Sequence, residues 1–254
     1  YSHGTAVGLW QFIPSTGKMY GLEDNWWHED RRDILASTSA AVKYLKDLNE
    51  MFDGDWLMAI AAYNAGPGRV QKAINANIEL GLKADFWSLD LPKETEKYVP
   101  KLLALGIVIK DPERYNQKLN MIENKPFLKA IELNSQFDLA LISQWTGLTI
   151  DQIYTFNPGL KRWATPVSLP YTILLPEDVV NRFEENLSKA GQRTKISWAR
   201  HKVKQGDSLS LIAQKYKTTI GQIKSINELS TDIIRIGDYL IVPLAQHAES
   251  YYSL

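Results

Sequence analysis

Apolar side chains recur at helical spacing through much of the first 118 residues. Between positions 33 and 52, Ile34, Ala41, Leu45, Leu48 and Phe52 fall on one face of a helix. Asp33 stands where an N-cap belongs, and Gly54 lies just past the end. Asp55 is placed to cap a second helix, WLMAIAAYN at 56–64, which Gly66 and Pro67 stop. A third helix runs through KYVPKLLALGIVI at 97–109, with Pro100 either in its first turn or at a kink. DPERY at 111–115 then reads as a cap followed by proline at the first helical position.

The pattern changes after Lys118. Residues 127–244 contain an internal repeat at an offset of 70. Leu139, Leu141, Ile142, Gln144, Thr149, Ile150, Gln152, Ile153 and Asn157 recur as Leu209, Leu211, Ile212, Gln214, Thr219, Ile220, Gln222, Ile223 and Asn227. Each copy closes with an apolar run ending in proline, YTILLP at Pro176 and YLIVP at Pro243. Each copy therefore reads as strand, helix, helix, strand. The stretch 176–195 reads as a charged linker with some helical character, and the chain after Pro243 as a polar, frayed tail. The fold class expected is α+β: a mainly helical part over 1–118, a first βααβ module over 119–178, a linker over 179–199, a second module over 200–244 and a tail over 245–254.

Charge narrows the partners. Lys plus Arg number 29 and Asp plus Glu number 29, so the net charge is zero, which argues against a broad electrostatic grip on nucleic acid. A neutral polymer such as a glycan fits better, and eight Trp and twelve Tyr supply aromatic faces of the kind that sugars stack on, although most of them belong to cores. There is no cysteine, hence neither disulfide nor thiolate chemistry. No apolar run of about 18 residues is present to form a transmembrane helix. His3, His28, His201 and His247 are scattered without ligand spacing, so no metal and no cofactor are expected. Glu23, Asp24, Glu29, Asp30 and Asp33 cluster in what reads as a polar, solvated loop.

Three ordered motifs carry a resemblance. GLWQFIPSTG at 8–17, AAYNAGPGRV at 61–70 and ETEKYV at 94–99 resemble the substrate-cleft motifs of family 1 lytic transglycosylases, lysozyme-like enzymes that cut bacterial peptidoglycan. Trp10 stands where that family usually has methionine. HKVKQGDSLSLIAQKYKTTIGQIKSIN at 201–227 and IIRIGDYLIVP at 233–243 resemble a LysM module, a small fold that binds chains containing N-acetylglucosamine. The first copy is degenerate, with NSQFD at 134–138 in place of KQGDS at 204–208, and reads as a structural spacer.

The resemblance implies a chemistry. One glutamic acid in a Glu-Ser motif protonates the leaving oxygen of the MurNAc-GlcNAc β-1,4 bond and then acts as base, while the 6-hydroxyl of the same muramic sugar attacks its own anomeric carbon. The product is a 1,6-anhydro sugar, and the muramyl N-acetyl group assists. That glutamate is expected upstream of Tyr1. Ser2 matches a serine beside the catalytic carboxyl, Gln11 a sugar-contacting glutamine, Tyr63 a tyrosine whose hydroxyl orients the carboxyl, and Asn64 its neighbour. Glu94 and Tyr98 match the late motif, one helical turn apart. Leu9, Trp10 and Phe12 are candidates for an apolar wall that keeps the acid protonated.

In the second module the implied glycan groove lies between Gly206, Asp207, Ser208 and Leu209 on one side and Ile233, Ile234 and Arg235 on the other. The partners implied are peptidoglycan glycan strands, and association with a missing N-terminal segment. The location implied is the periplasm or bacterial cell envelope, with a lipid anchor on that missing segment as an option. Two alternatives stay open: a goose-type lysozyme hydrolase that uses water, and a non-catalytic peptidoglycan-binding fragment.

Overall fold

The computed structural model describes residues 6–189, 198–227 and 229–243, and divides into two compact units. The first comprises residues 1–23 and 30–125. It is helical: α1 (Pro14–Met19), α2 (Ile34–Met51), α3 (Trp56–Ala65), α4 (Pro67–Glu79) and α5 (Lys93–Lys110), with single 3-10 turns at Phe86–Ser88 and Glu113–Tyr115. The expected caps are made. Asp33 accepts from the Ala36 amide at 2.8 Å, and Asp55 from Leu57 and Met58 at 2.8 and 3.1 Å.

Helix α3 is the centre of this unit, packed on α2, α4 and α5. Ala59, Ala61 and Ala62 are fully buried, and their small side chains let neighbouring backbones close in on more than one side. Leu48, Phe52, Met58, Val70, Phe86 and Val99 complete the core. Gly66 ends α3 at φ +90°, and Pro67 then opens α4 at its first position. The Gly-Pro pair is thus a junction between two helices, and α4 has no counterpart in the sequence reading. Pro100 lies well inside α5, which starts earlier than the pattern suggested, at Lys93.

The second unit comprises residues 24–29 and 126 onward. It holds two modules of the same build. In the first, β1 (Leu128–Leu133) pairs antiparallel with β2 (Tyr171–Pro176) around α6 (Leu139–Thr146) and α7 (Ile150–Phe156). In the second, β3 (Trp198–Lys202) pairs antiparallel with β4 (Tyr239–Pro243) around α9 (Leu209–Tyr216) and α10 (Ile220–Ile226). The strand, helix, helix, strand reading holds for both.

The repeat has a physical meaning at each position. Thr149 and Gln152 form a reciprocal cap on α7, and Thr219 and Gln222 form the same cap on α10. Asn157 donates to the carbonyls of Ile153 and Leu174 at 3.0 and 2.9 Å and accepts from the Leu174 amide at 2.7 Å. Asn227 does the same with Ile223 and Ile241, at 2.7, 2.8 and 2.8 Å. Each asparagine ties the end of the second helix to the last strand, a job that needs a donor and an acceptor on one short side chain.

Two expectations need correction. Residues 179–189 of the expected linker belong to α8 (Glu177–Lys189), whose Val180 and Phe183 are buried in the core of the first module beside Leu139, Ile142 and Ile173. The charges of this stretch lie on the other side of an amphipathic helix. Residues 190–197 of that linker, and the tail from 244, lie outside the described residues. The acidic cluster is not uniformly solvated either. Residues 24–29 are part of the second unit: Glu29 donates its amide to Gly159 O at 2.9 Å, Trp27 O accepts from the Lys161 amide at 2.9 Å, and Lys161 Nζ reaches Asp24 at 2.7 Å. Trp27, His28 and Glu29 are buried. Gly159 makes room for this, because a Cβ there would come within 2.3 Å of His28 Nε2.

Candidate active-site cleft and glycan groove

The motif residues of the first unit converge from three places in the chain. Tyr63, on α3, donates its hydroxyl to the Trp10 carbonyl at 2.8 Å, which pins the loop at 8–12 to the core helix. Its ring sits 6.3 Å from Phe12 and 5.3 Å from Tyr44, and Tyr44 in turn lies 4.9 Å from Tyr20. Burial, with Tyr98 and Tyr44 adding to it, pushes the Tyr63 hydroxyl well above the ordinary tyrosine range. Burial and then a hydrogen bond to Asp47 push Tyr20 up to about 12. Tyr63 therefore remains a neutral hydroxyl at any physiological pH.

Asn64, the next residue, bridges to α5. It donates to Glu94 at 3.2 Å and accepts from the Thr95 hydroxyl at 2.7 Å. Glu94 and Tyr98 are exposed, one turn apart, as their spacing implied. Gln11 is exposed in a left-handed conformation, φ 52°, and its side chain folds back onto Gly8 O at 2.8 Å. Tyr63, Asn64, Glu94 and Tyr98 are thus one cluster, with Gln11 on the loop that Tyr63 holds. Ser2 lies outside the described residues. Of the proposed apolar wall, Phe12 is buried in the core, Trp10 is half-buried with its indole nitrogen on the Thr38 hydroxyl at 2.8 Å, and Leu9 is exposed.

Two residues of this cluster escaped the sequence reading. Thr95 is buried and fixes the Asn64 amide, a role visible only once α3 and α5 are paired. Arg31 donates to Phe12 O at 3.0 Å, and its own carbonyl packs on Gly8. Gly8, at φ +79°, carried a signal: a Cβ there would meet the Arg31 carbonyl oxygen at 2.0 Å, so the first motif needs glycine for close backbone approach.

The turn at Gly206–Ser208, on which the resemblance sets a glycan groove, is held by a histidine that the sequence did not single out. Buried His201 contacts Asp207 through Nε2 at 2.8 Å and Tyr216 OH through Nδ1 at 3.2 Å. Asp207 also accepts the Lys204 amide at 2.7 Å. That backbone donor first, and His201 second, hold the Asp207 carboxyl below its ordinary value. Gly206 takes φ +90° in the same turn, and Ser208 caps α9 through the Leu211 amide at 3.3 Å. Backbone bonds from Val203 to Asp238 and from Gly237 to Val203 set this turn beside the loop at 233–238, where Ile233 is exposed and Ile234 half-buried against the core. Leu209 requires a correction. It is buried in the module core with Ile212, Ile223 and Val242, as its partner Leu139 is in the first module, and it presents no side chain to a groove.

Comparison with known proteins bears on both sites. The transglycosylase SLT domain family matches residues 1–86, the LysM-like domain of the lytic transglycosylase MltD residues 127–192, and the LysM domain residues 201–243. Membrane-bound lytic murein transglycosylase D of Escherichia coli K12 is 35% identical over 258 residues, covering 98% of this chain and 57% of that protein. The chain belongs to the lytic transglycosylases that join an SLT domain to LysM modules. An Alteromonas protein named for tributyltin chloride resistance is 33% identical over 150 residues, 59% of this chain and 70% of its own length. The peptidoglycan transglycosylase gp16 of phage T7 is 37% identical over 98 residues, 38% of this chain and 7% of its own. The chain spans a little over half the length of the lytic murein transglycosylases D that it matches. In this family context, the degenerate first copy has a counterpart of its own, a LysM-like domain found with the transglycosylase, and the match runs through α8 to residue 192. The added helix is therefore part of that domain.

Proposed function

We propose that this chain works as the cleft and glycan-holding part of a peptidoglycan lytic transglycosylase, which cuts the MurNAc-GlcNAc β-1,4 bond and leaves a 1,6-anhydro-muramyl end. The observation that carries the reading is the convergence of Tyr63, Asn64, Glu94 and Tyr98 beside the loop bearing Gln11. The resemblance calls for a general acid in a Glu-Ser motif ahead of GLWQ, and residues 1–7 contain no glutamate.

Tyr63 has one hydroxyl proton, and the Trp10 carbonyl takes it. Toward a catalytic carboxyl, the Tyr63 oxygen then offers only lone pairs. It accepts a hydrogen bond from a protonated carboxylic acid and not from a carboxylate, which favours the acid form needed to protonate the leaving oxygen. Once the bond breaks, the carboxylate recovers a proton from the muramyl 6-hydroxyl as that oxygen closes on the anomeric carbon. Gln11, Asn64 and Glu94 contact sugar hydroxyls along the cleft.

The second module holds the same polymer through the turn at Gly206–Ser208 and the loop at Ile233–Ile234. Binding by one such module is weak, and tethering it to a cleft for the same strand raises the effective concentration. The setting is the bacterial cell envelope, consistent with relatives described as membrane-bound.

Incubation with purified peptidoglycan, followed by mass spectrometry, tests the reading. A chain extended upstream of Tyr1 should release anhydro-muramyl products, and the 254-residue chain should bind without releasing them. Reducing-end products from the extended chain would point to a hydrolase instead, and the absence of both products and binding would refute the proposal.

A further inference from the structure

The sheet of the second module has an outer face unlike that of the first. On β4, Leu240 and Val242 point into the core, which turns Tyr239 and Ile241 outward. Across the ladder, Ile241 is opposite Arg200 and Tyr239 is opposite Lys202. The Arg200 guanidinium carbon lies 3.8 Å from the Tyr239 ring centre, and Lys202 Nζ lies 5.8 Å from it. The shared asparagine bonds identify the corresponding positions in the first module, where Ala130 is opposite Leu174 and Glu132 opposite Thr172. There is no ring and no guanidinium there, and an acid stands in place of Lys202.

This outer face lines a cleft of about 460 Å³ within the second unit, and the other wall is formed by Trp26, Trp27 and Arg162. Arg162 lies over Trp26 at 4.5 Å, and Trp26 packs edge-on against Trp27 and Trp163 at 4.6 and 5.7 Å. Tyr239 is 50% exposed and Trp26 38%, so both rings are open to a ligand. Asn227, also in the lining, has its amide committed to the backbone of Ile223 and Ile241. Among the described residues that line it, none is acidic. The cleft is thus a pair of aromatic faces, each with a guanidinium stacked on it. Stacked on Tyr239, the Arg200 guanidinium keeps its in-plane N–H donors at the edge, where carboxylates bind. The volume suits a small, partly apolar ligand.

We infer that this cleft binds the short peptide that peptidoglycan carries on its muramic acid residues. The peptide's free carboxylates meet the edge of Arg200, and its alanine methyl groups lie on Tyr239 and Trp26. The site lies on the sheet face and is separate from the loop groove at Gly206–Ser208. It rests on the peptidoglycan reading above, and adds that the protein distinguishes peptide-bearing from bare glycan.

Isothermal titration of the 254-residue chain against a purified disaccharide-tetrapeptide and against a peptide-free N-acetylglucosamine oligomer tests this. The muropeptide should bind more tightly, and Arg200→Ala and Tyr239→Ala should each weaken it about tenfold while leaving the oligomer unchanged. Arg200→Lys, which keeps the charge and loses the fork, should fall between, and raising salt from about 50 to about 500 mM should weaken the muropeptide alone. Unchanged thermal melts of these exposed-site variants exclude misfolding. If both ligands bind equally and Arg200→Ala changes neither, the peptide site is refuted while the peptidoglycan reading stands. If neither binds, both fall.

Discussion

Removing the Tyr63 hydroxyl by Tyr63→Phe tests the cleft at its joint. The ring stays, so the contacts to Phe12 and Tyr44 at 6.3 and 5.3 Å are kept. What is lost is one 2.8 Å bond, and the Trp10 carbonyl on a half-buried residue is left without that donor. A hydrogen bond of this kind contributes about 1 kcal/mol net, and the partly desolvated carbonyl raises the cost to about 2 kcal/mol. For a unit of roughly this size, that lowers Tm by about 8 °C. Scanning calorimetry of the 254-residue chain measures it directly. Activity of an upstream-extended enzyme adds a second reading. If the Tyr63 oxygen accepts from the protonated acid, Tyr63→Phe lowers that acid's pKa, and the alkaline limb of the pH-rate profile moves to lower pH. A Tm within about 1 °C of wild type would refute the clamp on Trp10. An unshifted alkaline limb, with kcat reduced, would refute the proton-holding role and leave Tyr63 as architecture.

The other predictions address the supports of the two units. Asn157→Leu removes three bonds and strands the Leu174 amide and carbonyl in the first module, while the Ile153 carbonyl keeps the backbone amide of residue 157, and should cost about 3 kcal/mol in urea denaturation. Asn227→Leu should cost a similar amount in the second module, and a neutral result for either would undo the equivalence of the repeats. Gly8→Ala pairs a left-handed backbone with a Cβ placed 2.0 Å from a carbonyl oxygen, and should destabilise the first unit by about 3 kcal/mol in a thermal melt. The raised tyrosines predict a pH effect. Tyr20 holds its proton more tightly folded than unfolded, so its contribution is fully present below its unfolded value of 10.0 and is lost as pH rises toward about 12. Tm should fall through that window, and Tyr20→Phe should make the fall shallower.

Much of this was legible from local pattern. Asp33 and Asp55 cap where the periodicity began, because a cap and the first turn are neighbours in sequence. The offset of 70 was legible because Asn157 and Asn227 do identical work. The failures have physical causes. Gly66-Pro67 reads as a stop, yet proline at the first position lacks only an amide that a helix start leaves unpaired, so α4 follows directly. In α8, Val179, Val180, Phe183 and Leu187 form an apolar stripe that its charges masked. In the cleft, the motifs indicated Tyr63 and Asn64, but Thr95 and Arg31 act through contacts between distant segments, which no local pattern encodes. Leu209 was misread because a motif position can be shared for the sake of a core as well as a ligand.

Residues 24–29 fold with Gly159, Leu160 and Lys161, while the residues before and after them belong to the other unit. A boundary drawn after residue 118 or 125 is therefore a line on the gene and not in the protein. A recombination event that moved the helical part alone would carry off Trp27 and His28, buried side chains with their partners left behind, and the recipient would inherit an apolar liability. The first module and the helical part must travel together through evolution. The second module, whose core closes on its own residues between Val203 and Val242, is free to be copied, lost or traded.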